Sequence, residues 1–531
     1  MHHSRGFIAY LVATAALCGA LVMVIEVLGS RVIGPFFGVS LFVWTSLITV
    51  TMVALAAGYA IGGHFSDRRS SPDWLYGIIL LSGLLELLVP TLKGPIVQMC
   101  LPLGLRWGSL TSAFLLFGPG LFLLGCVSPY VVKIAAREMQ NIGRTVGSFY
   151  AISTVGSVIG TLLTGFVLIA YLGVNQIFIF TGTALILLSV IYFVFFRKQF
   201  AVALVAILPI LLLPGEKHVE KIMPDGTHVE RIANRDSFYG NLKVVDYSYQ
   251  EIHNRELLID GLVQGGVDMN SGQSVYEYAY LLEYLPYALN PNGKNCLVIG
   301  LGAGLVPAWY QSQGVATDVV DIDPEVVDVA RQYFQFNADI PVHIEDARYF
   351  LINTAQRFDF MVLDVFNGDT TPGHLLSLEA MRLAKQRLAT KGVLAINLVG
   401  SLKVHTLMTA SIVKTLREVF DQVEIYPAFD AAVGAGTGNI EIMAYDGAAR
   451  APQFDRISSI SIHPGADSNV RQSMQRPFDL VLPEDAMILS DNYNPVDFYD
   501  LWLKEQVRKI ILDTTDFDIL LTLSERRFIF A

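Results

Sequence analysis

Long runs of apolar residues fill the first 215 positions of the chain. A helix that crosses a bilayer needs about 20 mostly apolar residues. A further apolar run, at 201–213, is shorter and contains Pro209, so six or seven helices are expected. The pattern therefore predicts an N-terminal α-helical, polytopic membrane domain over residues 1–215. Its six long candidate spans are 7–29, 41–64, 74–92, 109–132, 150–171 and 175–196.

From residue 216 onward the apolar runs shorten and alternate with polar segments and turn residues. Strand patterns at 241–247 and 256–259 predict a small β-rich lead-in over about 230–265, and the pattern at 272–289 predicts a helix. Short buried strands then alternate with helical patterns, which indicates a mostly parallel sheet with helices on both faces.

The second domain is therefore expected to be a C-terminal α/β domain, Rossmann-like and of the methyltransferase type, over residues 216–531. Six strands are expected in its main sheet, at 295–300, 318–322, 342–344, 360–363, 393–397 and 440–444.

Charge separates the two halves of the chain. Residues 1–215 contain 11 Lys and Arg against 5 Asp and Glu, whereas the remaining residues contain 26 against 43. Most basic residues of the first half fall on one side of the predicted spans, and the positive-inside rule makes that side cytoplasmic. Six crossings place the second domain on the cytoplasmic face of the cell (inner) membrane, and seven would place it outside. The lipid bilayer is thus a predicted partner, whereas the acidic second domain disfavours nucleic acid.

The apolar runs also contain carboxylates, cysteines and glycines that a helix facing only lipid does not need. Glu26 and Glu86 indicate either a functional site or a structural pair, for which Arg31 is the candidate partner of Glu26. The four cysteines have neither disulfide nor zinc spacing and are expected to be buried or lipid-facing. Small residues at helix-packing spacing predict close contacts between helix backbones, at Gly58, Gly62, Gly156 and Gly160.

Glycines and carboxylates follow the ends of consecutive strands in the second domain. The first strand leads into the sequence GLGAG at 300–304, whose glycines allow a ligand to approach a helix N-terminus. Asp321 ends the next strand, where a carboxylate can accept hydrogen bonds from both hydroxyls of a ribose. Asp346 follows the third strand within reach of an adenine edge, and Asp364 ends the fourth. The set predicts a site for an adenosine-containing cofactor in the crevice at these strand ends.

These elements, in this order, resemble the spermidine synthase (polyamine aminopropyltransferase) family over about residues 236–445. The matching stretches are LLIDGLVQ at 257–264, VIGLGAG at 298–304, VVDIDP at 319–324, IEDAR at 344–348 and FDFMVLD at 358–364. The first half looks like that of fused, membrane-bound members. That likeness comes from EVLGSR at 26–31, PFFG at 35–38, GGHFSDR at 62–68 and YAISTVG at 150–156, with DNYNP at 491–495 in the second half.

The family transfers an aminopropyl group from decarboxylated S-adenosylmethionine to a diamine and releases methylthioadenosine. The resemblance implies that Asp364 is catalytic and orients and deprotonates a small-molecule amine acceptor, without a metal. We also expect a homo-oligomer. The implied donor-binding residues are Gly300, Gly302, Ala303, Gly304, Asp321, Ile322, Asp346, Ala347 and Gln264. The implied acceptor-binding residues are Tyr276, Asp369 and Tyr239.

The chain departs from the family pattern mainly on the acceptor side. Gly240 stands where a Gln is usual, and Asn367 or Asp369 stands in place of a second acid. The Tyr-Pro-Gly element that helps to bind the diamine has no clear counterpart in residues 431–436. Ala303 replaces an Asp that binds the amine of the donor. Without that negative charge the site would also admit S-adenosylmethionine itself, whose tail carries a carboxylate.

Three functions are open at this point. The first is an aminopropyltransferase with an altered acceptor, acting on decarboxylated S-adenosylmethionine or on S-adenosylmethionine. The second is another enzyme that uses S-adenosylmethionine, either a lyase that forms methylthioadenosine and a lactone or a methyltransferase. The third is a transporter or sensor whose soluble domain only binds a nucleoside. Methylthioadenosine as product would indicate attack on the propyl side, and S-adenosylhomocysteine would indicate methyl transfer.

Overall fold

The computed structural model describes residues 5–38, 41–136, 142–211, 219–366, 372–431 and 436–521. Its residues group into two compact units. The helical unit comprises Met1–His218 together with Asn234–Asn241 and Thr515–Ala531, and the α/β unit comprises Val219–Ala233 and Leu242–Thr514. The first division, at residue 218, lies close to the boundary expected at 215, while the two short later segments were not expected in the helical unit.

The helical unit contains the apolar runs as long helices. Five described segments are long and apolar enough to cross a membrane: Gly6–Phe37, Phe42–Arg68, Pro72–Ala136, Gly143–Leu168 and Val174–Phe196. The third of these, 65 residues long, contains two successive helices, so every one of the six predicted runs lies in a helix. The helices are α1 (Arg5–Phe37), α2 (Leu41–Arg68), α3 (Pro72–Cys100), α4 (Gly104–Ala136), α5 (Ile142–Leu163), α6 (Ile169–Tyr171), α7 (Val174–Ile191) and α8 (Leu208–Leu211).

The short apolar run at 201–213 does not form a long α-helix. Its described part is a 3-10 helix at Phe200–Ile207 followed by α8, and residues 212 and 213 lie outside the described residues. The apolar stretch Phe200–Leu211 is shorter than the five candidate spans. The number of crossings, and with it the side on which the α/β unit lies, stays a prediction.

Small residues bring the helices of this unit into backbone contact. A Cβ atom added at Gly156 of α5 would lie 2.0 Å from the carbonyl oxygen of Ala16 on α1. One added at Gly58 of α2 would lie 2.4 Å from the carbonyl oxygen of Phe122 on α4. At the other two predicted positions it would lie within 2.7 Å of a neighbouring backbone. The predicted packing role of these four glycines is confirmed, because no larger side chain fits at these crossings.

The carboxylates in the apolar runs are not paired within the described part of the chain. Glu86 of α3 is 0% exposed, and neither of its oxygens has a hydrogen-bond partner there. It lies against α4, where a Cβ added at Gly120 would be 2.1 Å from its Oε1. Arg31 donates a hydrogen bond to the carbonyl of Phe238, and no ion pair joins it to Glu26 among these residues. The pairing expected for Glu26 is therefore not observed. The four cysteines are free and buried, as expected.

The α/β unit begins with an antiparallel five-stranded sheet of order β1-β2-β3-β4-β5. Asp260 and Gly261, both with positive φ (49° and 81°), form the two-residue turn between the last two strands. The predicted β-rich lead-in is present and extends from residue 220 to residue 268. Its strands are β1 (Glu220–Ile222), β2 (His228–Asp236), β3 (Asn241–Tyr249), β4 (Ile252–Ile259) and β5 (Leu262–Asp268).

The main sheet has seven strands in the order β11-β12-β10-β9-β6-β7-β8. The five strands from β10 to β8 are parallel, and β12 lies antiparallel between β10 and β11, so the prediction of a mostly parallel sheet is confirmed. The strands are β6 (Asn295–Ile299), β7 (Ala316–Asp321), β8 (Val342–Ile344), β9 (Phe358–Leu363), β10 (Leu388–Ser401), β11 (Gln422–Pro427) and β12 (Thr437–Tyr445).

Helices cover both faces of this sheet, as expected. Along β6 and β9, Val298 and Phe360 contribute to a core with α9 and α10, whereas Leu297 and Met361 contribute to a core with α12 to α14 on the opposite face. The helices are α9 (Glu277–Leu289), α10 (Leu305–Ser312), α11 (Pro324–Tyr333), α12 (Ala347–Asn353), α13 (Leu378–Arg387), α14 (Leu407–Arg417), α15 (Asp467–Gln475), α16 (Val496–Tyr499) and α17 (Leu501–Thr514). A last helix, α18 (Phe517–Leu521), belongs to the helical unit.

The helix expected at 272–289 begins five residues later, at Glu277, so its predicted start is wrong. Gly272 has a φ of 72°, and Ser274 forms an antiparallel bridge with Val267 of β5. Tyr276, the residue before the helix, is still extended, with φ −112° and ψ 137°. The chain therefore continues along the edge of β5 before it turns into α9.

Candidate functional site

Five adjacent strands of the main sheet bring polar residues into one transverse row at the ends of β6, β7 and β9. Leu363 lies beside Ile299 in one direction and Ile396 in the other, so the residues that follow them, Asp364, Gly300 and Asn397, are neighbours. Asp321 adjoins Gly300 on the far side, and Glu441 of β12 lies opposite Asn397. Adjacent strands are about 4.8 Å apart. The row thus runs Glu441, Asn397, Asp364, Gly300, Asp321 across the sheet.

The loop between β6 and α10 requires glycine at three of its five positions. Gly300, Gly302 and Gly304 have φ angles of 92°, 53° and 81°. A Cβ added at Gly300 would lie 2.0 Å from the carbonyl oxygen of Asp364, and one at Gly302 would lie 2.7 Å from that of Gln264. Both the positive φ and the close approach exclude side chains. Gly304 immediately precedes α10, so the loop leads directly into a helix N-terminus.

Asp321 connects the glycine loop to the second strand. Its Oδ2 accepts a hydrogen bond of 2.8 Å from the backbone N–H of Leu301, and its Oδ1 accepts one of 2.8 Å from the N–H of Asp323. Burial raises the pKa of Asp321 to about 6, although these N–H groups act in the opposite direction. A carboxylate has about four acceptor positions, so two remain for a pair of hydroxyl groups.

Asp364 lies at the centre of the row with one oxygen engaged. Its Oδ1 accepts a hydrogen bond of 2.8 Å from Nδ2 of Asn397, whose Oδ1 accepts one of 2.9 Å from Nδ2 of Asn439. Burial raises the pKa of Asp364 to about 6, against the lowering effect of the Asn397 amide. A carboxyl group with a pKa near neutrality suits a general base. The two amides fix its orientation and leave Oδ2 for a substrate.

The side of the site opposite Asp321 is formed by β5 and the start of α9. Tyr278 donates a hydrogen bond of 3.3 Å to the carbonyl of Gln264, and Tyr276 donates one of 2.5 Å to Oε1 of Glu256. A Cβ added at Gly265 would lie 3.0 Å from the Cβ of Ala303. The backbone at Gln264 and Gly265 therefore contacts the glycine loop at Gly302 and Ala303. The binding roles of Gln264, Tyr276 and Ala303 stay predictions.

Asp346 follows β8, the strand next to Asp321, and is already engaged on both oxygens. Its Oδ1 accepts a hydrogen bond of 3.0 Å from the N–H of Tyr349 as the N-cap of α12, and its Oδ2 is 3.3 Å from Nε2 of His374. β8 pairs with β7 at Asp321, so Asp346 follows the neighbouring strand end. Ala347 is the first residue of α12. The proposed contact of Asp346 with adenine stays a prediction.

The stretches IEDAR and DNYNP are joined by one ion pair. Arg348 donates two hydrogen bonds to Asp491, of 2.8 Å to Oδ1 and 2.5 Å to Oδ2. This two-pronged contact lowers the pKa of Asp491 to about 2. The pair fixes the segment around Asp491 beside the start of α12, and with it the position of Asp346.

The structure does not test the roles predicted for two acceptor-binding residues and for Ile322. Asp369 lies outside the described residues, as does Asn367. Tyr239 lies in the segment Asn234–Asn241, which groups with the helical unit, and its side chain is 47% exposed. Ile322 follows the row at the end of β7 and is exposed. The roles proposed for these residues stay predictions.

Sequence reasoning missed the amide and carboxylate side chains of the antiparallel edge. Asn397, Asn439 and Glu441 lie within or beside strands that were expected for their apolar content alone. The signal was a polar residue inside a buried apolar run, as at Glu441 between Ile440 and Ile442. Their convergence on Asp364 depends on the pairing of β12 with β10, which the order of strands along the chain does not give.

Comparisons with known proteins identify the part of the chain that forms the row. Residues 276–429 match the family model described as the spermine/spermidine synthase domain. The polyamine aminopropyltransferase of Vibrio vulnificus is 35% identical over 156 residues, which are 26% of this chain and 50% of that protein. An N-terminal histidine N-methyltransferase of Emericella nidulans is 34% identical over 139 residues, 25% of each chain. The chain thus spans half the length of the first relative and a quarter of the second.

A probable spermidine synthase from Corynebacterium glutamicum aligns with a TM-score of 0.40 and 18% identity, covering 49% of this chain and 96% of its own. The family match and the Vibrio relative confirm the resemblance indicated by the motifs. The matched segment includes Gly300, Asp321 and Asp364 of the row, and ends before Glu441.

Proposed function

We propose that the α/β unit, which is spermidine synthase-like, transfers an aminopropyl group from an adenosyl sulfonium donor to an amine and releases methylthioadenosine. The observation that supports this most is the row at the strand ends. A glycine loop open to a nucleoside, with Asp321 on one side, lies directly beside Asp364, an oriented carboxylate of near-neutral pKa. One strand spacing, about 4.8 Å, separates the backbone of β6 at the glycine loop from the backbone of β9 at Asp364.

The proposed reaction is an in-line displacement. The lone pair of a neutral acceptor amine attacks the propyl carbon beside the sulfonium, and a carbon–nitrogen bond forms. The carbon–sulfur bond breaks, its electron pair stays on sulfur, and methylthioadenosine leaves as a neutral thioether. The acceptor nitrogen loses one proton, which the free Oδ2 of Asp364 accepts. Holding the amine and the carbon in contact converts a bimolecular step into an effectively unimolecular one, which is a large part of the rate enhancement.

The two sides of the row have separate tasks in this proposal. Asp321 accepts hydrogen bonds from the ribose diol of the donor while it still holds the N–H of Leu301. Gly300 and Gly302 allow the donor to lie against the backbone, and Asp346 is directed at the adenine. Gln264 lines the pocket on the donor side, and Tyr276 lines it on the acceptor side. Relatives named as polyamine aminopropyltransferases support the same reaction class.

The donor is the finer part of the proposal. Ala303 is buried beside β5, at 4% exposure, and presents only a methyl group where an acid would bind the donor's amine. We propose that the site therefore accepts S-adenosylmethionine at least as well as its decarboxylated form. A lyase or methyltransferase acting on S-adenosylmethionine is the second candidate, and Ala303 is the observation that favours it.

The helical unit is proposed to anchor this activity to a cell membrane, with the α/β unit on the cytoplasmic face. Five long apolar segments support the first part, and the distribution of basic residues supports the second. Extraction of membranes with alkaline carbonate tests the anchoring. Recovery of the intact chain in the soluble fraction would contradict it.

Product identity tests the reaction class. The full chain, purified in detergent, is incubated with S-adenosylmethionine or its decarboxylated form, each with and without a diamine, and the products are identified by mass spectrometry. We expect methylthioadenosine, with the propyl group on the amine. Methylthioadenosine formed without any amine, together with a lactone, would identify the lyase instead. S-adenosylhomocysteine would identify methyl transfer and contradict the proposal.

A further inference from the structure

Glu441 of β12 is a buried carboxylate whose charge has no counterpart in the described part of the chain. Its side chain is 0% exposed, and neither Oε1 nor Oε2 has a hydrogen-bond partner there. It lies opposite Asn397 on the next strand, in the same row as Asp364. A charged group in this position is costly unless something pairs with it.

The groups around Glu441 are acidic or neutral. Burial first, and then the negative charges of Asp364 and Glu277, raise the pKa of Glu441 well above its ordinary value. Tyr278 of α9 is close enough to Asp364 and Glu441 for both to raise the pKa of its hydroxyl. Within the described residues no Lys, Arg or His side chain forms an ion pair with Glu441. No described residue therefore supplies a positive charge to Glu441.

The neighbouring amides do not neutralise this carboxylate. The Nδ2 group of Asn397 donates its hydrogen bond to Asp364, and the Nδ2 group of Asn439 donates its hydrogen bond to Oδ1 of Asn397. The two amides form a chain that leads toward Asp364 and leaves the oxygens of Glu441 unused. Glu441 and Asp364 are thus neighbouring carboxylates of the row, with the amide of Asn397 between them.

We propose that Glu441 binds the distal ammonium group of the acceptor and selects amines that have a second positive charge. This inference rests on the proposed transfer to an amine, in which Asp364 receives the reacting nitrogen. β9 and β12 are two strand spacings apart, on the order of 10 Å between backbones. The two carboxylate side chains extend from the same face, so they fit an aliphatic chain of a few methylene groups with a nitrogen at each end.

The proposal gives Glu441 a role in specificity and none in the chemical step. Pairing with an ammonium group compensates the buried charge only when the acceptor has two amines. An acceptor with one amine leaves Glu441 without a positively charged partner. Discrimination between a diamine and a monoamine of equal chain length should therefore depend on Glu441, whereas binding of the nucleoside should not.

Binding measurements test this without any need for turnover. The full chain in detergent, saturated with methylthioadenosine, is titrated by calorimetry with 1,4-diaminobutane and with n-butylamine. The unaltered protein should bind the diamine at least tenfold more tightly. Glu441→Gln should reduce the diamine affinity at least tenfold, about 1.4 kcal/mol, and leave the affinities for n-butylamine and methylthioadenosine unchanged.

Glu424→Gln is the matched control. Glu424 lies on the adjacent strand β11, but its oxygens accept hydrogen bonds of 2.6 Å from Tyr426 and 2.5 Å from Tyr445. This variant should bind the diamine as the unaltered protein does. Equal affinity of the unaltered protein for the two amines, or an unchanged diamine affinity in Glu441→Gln, would overturn the inference. A failure of the proposed transfer would appear separately, as absence of methylthioadenosine formation in a protein that still binds the diamine through Glu441.

Discussion

Asp321 has a structural role, and the proposed ribose contact would give the same side chain a second role in binding. Its two oxygens hold the N–H groups of Leu301 and Asp323, so the glycine loop and the turn after β7 depend on the same carboxylate. The predicted ribose contact uses the acceptor positions that remain. A nucleoside that binds there therefore meets a group whose position is already fixed.

Asp321→Ala should weaken the binding of methylthioadenosine by roughly 1–3 kcal/mol, because two ribose hydroxyls then lose a buried acceptor. Calorimetric titration of the full chain measures this. Asp318→Ala is the matched control, since Asp318 lies on the same strand and pairs with His343 at 3.2 Å. Unchanged affinity in Asp321→Ala, or an equal loss in both variants, would remove Asp321 from the nucleoside site.

The residues of the nucleoside side could be predicted from the sequence, and those of the acceptor side only in part. Asp321 and Asp364 end parallel strands, and strands that alternate with helices bring such ends to one edge of the sheet. Glu441 comes from a strand that runs the other way. Its distance along the chain from Asp364 gives no indication of their proximity, which depends on the pairing of Asn397 with Glu441.

At the level of elements, the glycine loop supplies the side chain that would lie beside the sulfonium of the proposed donor. The loop passes within contact distance of β5 and of the backbone at Asp364, so it has no freedom to move away from a new side chain. A change at its one non-glycine position near β5, Ala303, should therefore act directly on the ligand.

Ala303→Asp should shift the donor preference toward decarboxylated S-adenosylmethionine by about tenfold or more, about 1.4 kcal/mol. The new carboxylate would pair with the donor's amine and repel the carboxylate of S-adenosylmethionine. Competition of the two donors for the unaltered protein and the variant measures the shift. Ala316→Asp, which adds the same charge at an exposed position at the start of β7, should change nothing. A strong preference of the unaltered protein for the decarboxylated donor would contradict the role of Ala303.

Sequence periodicity located most elements but not their exact ends. The strand expected at 342–344 has those bounds, whereas β10, expected at 393–397, extends from Leu388 to Ser401. At the C-terminal end, residues 398–401 extend the strand because they pair with β12, and at the N-terminal end Leu388 pairs with β9 before a register shift to Val393. The late start of α9 has a similar cause, since the bridge between Ser274 and Val267 holds the chain extended. Tertiary pairing overrides local preference at both places.

At the scale of the whole molecule, two units of different chemistry share one chain. The helical unit is apolar, with five segments suited to a bilayer, and the α/β unit is acidic. Composition alone predicted this division, because a segment in a bilayer has an apolar surface and a domain in water has a polar one. The segments Asn234–Asn241 and Thr515–Ala531 were not predicted to join the helical unit, since their grouping depends on three-dimensional contacts.

For the whole molecule, we propose that Asp364 is the base of a transfer reaction and not a structural carboxylate. The most direct measurement is methylthioadenosine formation by the full chain and by Asp364→Asn, with the affinity for methylthioadenosine measured in parallel. Asp446→Asn is the control, since Asp446 forms an exposed ion pair of 2.8 Å with Lys385. We predict a loss of turnover of about a hundredfold or more in Asp364→Asn, on the scale of general-base catalysis, with nucleoside affinity nearly unchanged and Asp446→Asn fully active. Equal turnover in Asp364→Asn and the unaltered protein would contradict the account.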